Sequence, residues 1–209
     1  MRNQNGLPDI RLAPVDEIYA APEFEQMAEL VLSPATFETL RSGTRGSFDK
    51  MTFRQRLMVY AMDLDLTTEL FGYSMFAPII VGPVGNQGDL HEEGELATAR
   101  GAAAAQTIMV ATQRASFPID QIAAETDQPL WYQVYADRNL GPVNDDVAQA
   151  VSVGCQVLCV TVGVSANGRP ESIEWDAVEQ VAQRAGVPVV VKGIMNQADA
   201  RTALDHGAQ

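Results

Sequence analysis

The stretch from Ala77 to Thr112, APIIVGPVGNQGDLHEEGELATARGAAAAQTIMVAT, constrains the fold of this chain most tightly. It predicts a buried strand, a glycine-rich loop, an alanine-rich helix and a second buried strand. Ile79, Ile80 and Val81 form a short apolar run closed by Gly82 and Pro83, the pattern of a parallel strand covered on both faces. Gly85 and Gly88 let the backbone turn sharply or press against a ligand. Glu92, Glu93 and Glu95 suit a first helical turn, where the helix dipole favours negative charge. The run Ala102–Ala105 then offers a smooth face to a sheet. This is a βαβ unit whose unusual loop sits at the carboxyl end of a strand, the end where such folds keep their ligands.

The unit recurs. Leu130–Tyr135, Val157–Val162 and Val187–Lys192 are short, apolar and rich in β-branched or aromatic residues. Helical patterns separate or follow them at Ile119–Glu125, Val143–Val153, Trp175–Ala185 and Gln197–His206. Ser116 is the expected cap of the first of these, with Pro118 in its opening turn, and Gly154 and Gly186 stand where helices should stop. Five strands with five following helices predict a parallel α/β protein. The regular period favours a (β/α) barrel, with a five-stranded flavodoxin-like sheet as the rival architecture.

The final residues Asp205–Gln209 read as a helix end running toward a further strand. A complete eight-unit barrel takes about 250 residues, and five parallel strands leave two open edges. The expectation is therefore an incomplete (β/α)8 TIM barrel. Residues 1–76 form an N-terminal helical lead-in and capping segment, and residues 77–209 form the first five βα units. Within the lead-in, Arg2–Ala21 is irregular, and Phe24, Met27, Ala28 and Val31 are spaced for an amphipathic helix. Ser33 and Pro34 suit the cap and first position of a second helix, Ala35–Arg41, stopping at Gly43, with a polar stretch Thr44–Asp49 beyond.

A net charge of −13 argues against nucleic acid, which wants a basic face. The two cysteines, Cys155 and Cys159, flank an expected buried strand and predict core packing in a reducing compartment; no metal site is expected. No apolar run approaches the span of a bilayer, so the expected location is cytoplasmic, with no membrane partner.

Polar or unusual residues gather where the strands finish. The first gives Pro83, Val84 and Gly85, the second Thr112, Gln113 and Arg114, the third Gln133 and Tyr135 on one face, the fourth Thr161 and the fifth Lys192. Together they predict a site for a flat polar heterocycle, in which Gln and Thr meet amide-like edges and a fixed Lys neutralises charge developing on reduction.

From about Phe24 onward the chain resembles the FMN-dependent α-hydroxy-acid dehydrogenase/oxidase family, which includes glycolate oxidase and lactate oxidase. The resemblance is carried by FAPIIVGPVGNQ, HEEGELATARGAAAA, WYQVYADRN, the TV of CVTVG, and VPVVVKGI followed by ADA and HGA. The spacing Gly82-x-x-Gly85-x-x-Gly88 is not the dinucleotide fingerprint. The resemblance implies FMN as cofactor. It places the backbone of Pro83, Val84 and Gly85 beside the reactive edge of the flavin, Thr112, Gln133 and Thr161 on the ring, and Lys192 at the N1/O2 locus. Tyr135 matches a substrate-facing tyrosine, and Tyr135 and Lys192 are the implied catalytic residues within the chain. Arg114, where a Trp is common, and Arg169, in the later Gly168-Arg169 pair, are candidates to meet a substrate carboxylate. His91 and His206 are expected to be structural.

The pattern also departs from the family. Phe37 replaces a substrate-binding tyrosine, Gly163 replaces an aspartate, and the segment after the fourth strand is shortened to Val164–Ile173. The implied activity is oxidation of a small lactate- or glycolate-like 2-hydroxy acid to the 2-oxo acid by hydride transfer to flavin, in a full-length homo-oligomer. The family's catalytic His and Arg and its phosphate-binding loops are expected beyond Gln209, leaving the chain alone inactive. The alternatives are another FMN-barrel chemistry or a non-catalytic half-barrel that binds a small molecule.

Overall fold

The computed structural model describes residues 13–14, 17–41, 50–54, 64–136, 140–165 and 167–209. Most of the Arg2–Ala21 lead-in, the helix stop at Gly43 and the Thr44–Asp49 stretch lie outside them. The chain divides into two units, Met1–Ala61 and Met62–Gln209.

In the first unit, helix α1 (Ala21–Val31) starts with Pro22 and Glu23 in its first turn, and the Tyr19 amide donates to the Glu23 carboxylate at 2.8 Å. Helix α2 (Pro34–Arg41) begins as its sequence requires, with the Ser33 hydroxyl accepting from the Thr36 amide at 3.2 Å. Phe37 is the buried residue of α2, and α1 packs beside it.

The second unit opens with a hairpin that the sequence pattern did not announce. Strands β1 (Thr68–Leu70) and β2 (Tyr73–Met75) pair antiparallel through a turn in which Phe71 and Gly72 both have positive φ. Such two-residue turns normally carry Asn-Gly or Asp-Gly, so Phe-Gly gives little signal. Next comes a 3-10 turn, Gln87–Asp89, and helix α3 (Gly94–Ala104). Strands β3 (Met109–Thr112), β4 (Leu130–Tyr135), β5 (Val157–Thr161) and β6 (Val189–Lys192) then form one parallel sheet in chain order. Helices α4 (Ile119–Ala124), α5 (Leu140–Ser152), α6 (Trp175–Ala185) and α7 (Gln197–Asp205) follow the strands one by one.

The first of the five expected strands is reduced to a single parallel bridge, Val81 to Met109. Val81 donates to Ile108 and accepts from Val110, both at 2.9 Å, and the chain then leaves the ladder at Gly82. Ile79 is 66% exposed, so this run is not covered on both faces. A second difference concerns α4. Ser116 is not its cap: Pro118 holds that position without a side-chain bond, and the Ser116 hydroxyl instead accepts from the Gly88 amide at 2.8 Å.

The two faces of the sheet carry different cores. Met109, Ala111, Leu130, Tyr132, Val134, Leu158, Val160 and Val189 face helices α3 to α6, which supply Ala99, Ile122, Val147 and Val181 to one large cluster. The alternate residues Val110, Trp131, Val157 and Cys159 form a smaller cluster closed by Tyr73 and Met75 of the hairpin. Phe71 meets Trp131 edge-on at 5.6 Å, and the Tyr73 hydroxyl donates to the Gln128 side chain at 2.5 Å. Strands in chain order with helices α3 to α6 packed on one face are the layering of a barrel segment. A flavodoxin-like sheet needs a crossed strand order and helices on both faces. Among the described residues no helix is long and apolar enough to cross a membrane.

Candidate functional site

The parallel register decides which strand-end residues meet. Thr112 pairs with Gln133, Tyr135 with Thr161, and Thr161 with Lys192. Because side chains alternate, all five lie on the same face as Val110, Trp131 and Val157, stacked toward the carboxyl ends of the strands. The inner face is therefore apolar at its hairpin end and polar at the other.

Within that polar layer, three side chains form a relay. The Thr112 hydroxyl donates to Gln133 Oε1 at 2.5 Å, and Gln133 Nε2 donates to the Thr161 hydroxyl at 2.8 Å. All three are buried, and Gln133 is only 2% exposed. Burying three polar side chains side by side is tolerable because each satisfies its neighbour. The Thr112 hydroxyl also accepts from the Arg114 amide at 3.2 Å, tying the relay to the loop after β3. Gln113, on the opposite side of that strand end, accepts from the Tyr135 amide at 2.9 Å. Tyr135 is half-buried and Lys192 is exposed. The Lys192 ammonium acts on Cys159, opposing the rise that burial imposes on this thiol, which still reaches about 11.

The loop before α3 is held against the same strand ends. Gly85 lies so close to the next loop that a Cβ there would be 2.9 Å from the Arg114 carbonyl oxygen. The Asn86 amide donates to that carbonyl at 2.9 Å. Gln87 Nε2 donates to the Val84 carbonyl at 3.0 Å, and Val84 projects outward, half exposed. At the far end of the row, Gly193 has φ +112°, and a Cβ would fall 2.5 Å from the Val162 carbonyl oxygen. No other residue fits there, so Lys192 is held at a fixed turn.

Glu95 escapes a reading based on helix dipoles. It is fully buried, and one carboxylate oxygen accepts from the Gln87 amide at 3.0 Å and from the Ser116 amide at 3.1 Å. It thus joins the loop after Val81 to the loop after β3, while its Oε2 has no hydrogen-bond partner among the described residues. The available signal was spacing: Glu95, Ala99 and Ala102 fall at i, i+4 and i+7, the buried stripe of α3.

Two candidates stand apart from the row. Arg114 is exposed on the loop after β3. Arg169 is exposed in the small loop closed by the Val164–Pro170 bridge, where its backbone bonds Ser165 in both directions. His91 Nδ1 accepts from the Glu93 amide at 3.1 Å and helps start α3.

The residues present fit a flavin in chemistry. Hydroxyl and amide groups suit the polar edge of such a ring, an ammonium suits its anionic locus, and the side-chain-free approach at Gly85 brings backbone close to whatever lies on the strand ends. The relay uses one amide hydrogen and one Oε1 lone pair of Gln133, so a second donor and a second lone pair remain for a ring edge without breaking either bond.

A family model described as FMN-dependent dehydrogenase matches residues 27–172 and 166–209. The match divides in the loop after β5, where the chain is short. Among curated relatives, a peroxisomal (S)-2-hydroxyacid oxidase GLO3 of Arabidopsis thaliana is 25% identical over 243 residues, covering 92% of this chain and 67% of its own length. Glycolate oxidase of Spinacia oleracea is 25% identical over 245 residues, covering 92% of this chain and 66% of its own. The chain therefore spans about two thirds of the length of these relatives. Among solved structures, a mandelate oxidase with a bound difluorinated hydroxyphenylpropionic acid superposes with a TM-score of 0.80 at 30% identity, over 90% of this chain and 65% of the other. A Pediococcus acidilactici lactate oxidase, at 23% identity and TM-score 0.81 over 91% and 65%, shares the fold.

Proposed function

The chain belongs to the FMN-dependent dehydrogenase family, and from that premise we propose that it forms the flavin-facing part of an enzyme oxidising a small 2-hydroxy acid to the 2-oxo acid. The observation that carries this reading is the buried Thr112–Gln133–Thr161 relay, in register with Tyr135 and Lys192 at the carboxyl ends of β3 to β6. Bound FMN supplies the electron-accepting chemistry. The chain's own residues hold and tune it.

In this reading the backbone of Pro83, Val84 and Gly85 lies along the reactive edge, kept in place by the Arg114 carbonyl and the Gln87 side chain. Thr112, Gln133 and Thr161 address the pyrimidine edge through the second Gln133 amide hydrogen and lone pair and the Thr161 hydroxyl hydrogen, which the relay leaves unused. Lys192 offers positive charge where negative charge accumulates, a contribution that is larger in the transition state than in the ground state. Tyr135 turns its half-buried phenol toward the substrate, and Arg114 and Arg169 are the cations available to its carboxylate. Self-association of the full-length enzyme and a cytoplasmic location belong to the same proposal.

The test is a flavin titration of the full-length enzyme, followed by fluorescence and by the visible spectrum, with Gln133→Leu beside the parent. A parent that binds FMN at least tenfold more tightly than Gln133→Leu, and whose flavin bleaches anaerobically with lactate, glycolate or mandelate, supports the proposal. Equal flavin affinity in the two proteins would refute the role given to the relay. Flavin that binds but is bleached by none of these acids would point to another substrate class.

A further inference from the structure

Among helices α6 and α7, on the helical side of the sheet, three metal-ligating side chains converge. Asp176 and Glu179 stand at i and i+3 on α6, and His206 caps the end of α7. One ligand atom from each lies within 4.8 Å of the others. We propose that Asp176, Glu179 and His206 form a binding site for a divalent transition metal ion of the zinc type, which ties α6 to α7.

Three features favour an ion over a chance meeting. First, the imidazole is oriented. His206 Nδ1 is 2.8 Å from the Thr202 carbonyl oxygen, which can only accept, so Nδ1 carries the proton and the lone pair sits on Nε2. This is the arrangement by which backbone carbonyls prepare metal-binding histidines. The ring also packs against Trp175, with centroids 5.8 Å apart. Second, the two carboxylates are close together without a cation: among the described residues neither pairs with Lys or Arg. Glu179 has one oxygen on the Gln183 amide at 2.9 Å, leaving the other free to coordinate. Third, the end of α7 packs closely on the body of α6: a Cβ on Gly207 would sit 3.2 Å from Ala182 Cβ.

Helix-dipole effects account for Asp176 in a first turn and His206 at a helix end taken singly. They do not account for the convergence of residues from two helices. Two carboxylates and one imidazole make a mixed O/N donor set suited to Zn²⁺, Co²⁺ or Ni²⁺. Tetrahedral ligands at about 2.1 Å from zinc are about 3.4 Å apart. Closing from 4.8 Å therefore takes about 1.4 Å of side-chain rotation at most. Asp176 is exposed and the other two are half-buried, so water completes the coordination.

The experiment uses untagged, metal-stripped protein titrated with ZnCl2 by calorimetry, with Co²⁺ absorption as a second probe. His91 and His206 are the chain's two histidines, so the variants are few. The expected result is one Zn²⁺ per chain, a melting temperature that rises with metal, and at least tenfold weaker binding in His206→Gln and in Glu179→Gln, with His91→Gln unchanged. Metal-free melting temperatures of the variants show whether each is folded; should His206→Gln prove unfolded, Glu179→Gln decides alone. Binding that survives Glu179→Gln at full affinity, or that disappears with His91→Gln, would overturn the assignment, as would no binding by the parent.

Discussion

Replacing Glu95 tests whether two loops are held by one buried carboxylate. In Glu95→Ala, the Gln87 and Ser116 amides both lose their acceptor. A buried donor left without a partner costs about 1–3 kcal/mol, and these two amides, in part-buried bonds, stand at the lower end of that range. The loss is partly offset because a carboxylate with an unpartnered oxygen no longer has to be kept away from water. A net destabilisation of about 1–2 kcal/mol follows, equivalent to a fall in Tm of roughly 2–8 °C for a unit of this size. Glu95→Gln behaves differently. Its Oε1 still accepts from both amides, and only the strength added by charge is lost, about 1 kcal/mol. Urea denaturation followed by circular dichroism separates the two, the midpoint shifting while the slope stays constant. The order should be parent, then Gln, then Ala. An alanine variant within about 0.5 kcal/mol of the parent would show that the two loops hold their places without Glu95. A glutamine variant as damaged as alanine would show that charge, not acceptor geometry, matters.

Gly193→Ala combines a positive φ with a Cβ aimed at the Val162 carbonyl, and should cost at least about 3 kcal/mol; an unchanged Tm would contradict the turn geometry. Under the proposed function, and in the full-length enzyme, Lys192→Met should slow anaerobic flavin reduction by about a hundredfold while weakening FMN binding less, as stopped-flow absorbance would show; an unaltered rate would leave Lys192 as a surface charge. Arg114→Ala should raise KM for a 2-hydroxy acid about tenfold, the loss of roughly 1.4 kcal/mol, with kcat little changed; an unaltered KM would remove Arg114 from the substrate. Burial pushes the thiols of Cys155 and Cys159 up from 9.0 to about 12 and about 11. Above pH 9 the unfolded chain therefore releases thiol protons that the folded chain keeps, and stability falls as pH rises toward 11, by roughly 1.4 kcal/mol per pH unit for each thiol. Denaturation midpoints at pH 8 to 10.5 should show this slope, and Cys155→Ala with Cys159→Ala should flatten it.

What the sequence disclosed follows from which interactions are local. Strands β4 and β5 and helix α6 were legible because an apolar run or a helical stripe reports its own burial, and Gly186 marks a helix end by its αL conformation alone. The hairpin was not, since three-residue strands leave no periodicity and Phe71-Gly72 is an unusual turn. Ile79 shows the converse error: an apolar run predicted a two-sided strand, yet pairing on a ladder depends on neighbours that the run itself does not encode.

The same division runs through the site. That Thr112, Gln133, Tyr135, Thr161 and Lys192 end strands could be read along the chain; that Thr112 and Thr161 grip the two ends of one amide could not. Those bonds require Thr112 opposite Gln133 and Tyr135 opposite Thr161, a register set by two parallel pairings. A slip of one residue on β4 would turn Gln133 toward the helices and Val134 toward the polar layer, so the relay also reports that the register is correct. The local chemistry of Glu95 and Ser116 suits helix starts, whereas they bond to one another across 21 residues of sequence and to Gln87 and Gly88 of the earlier loop. The residues that local reasoning misjudged are thus the ones that bind the loops to one another, and these loops frame the strand ends on which the proposed function depends.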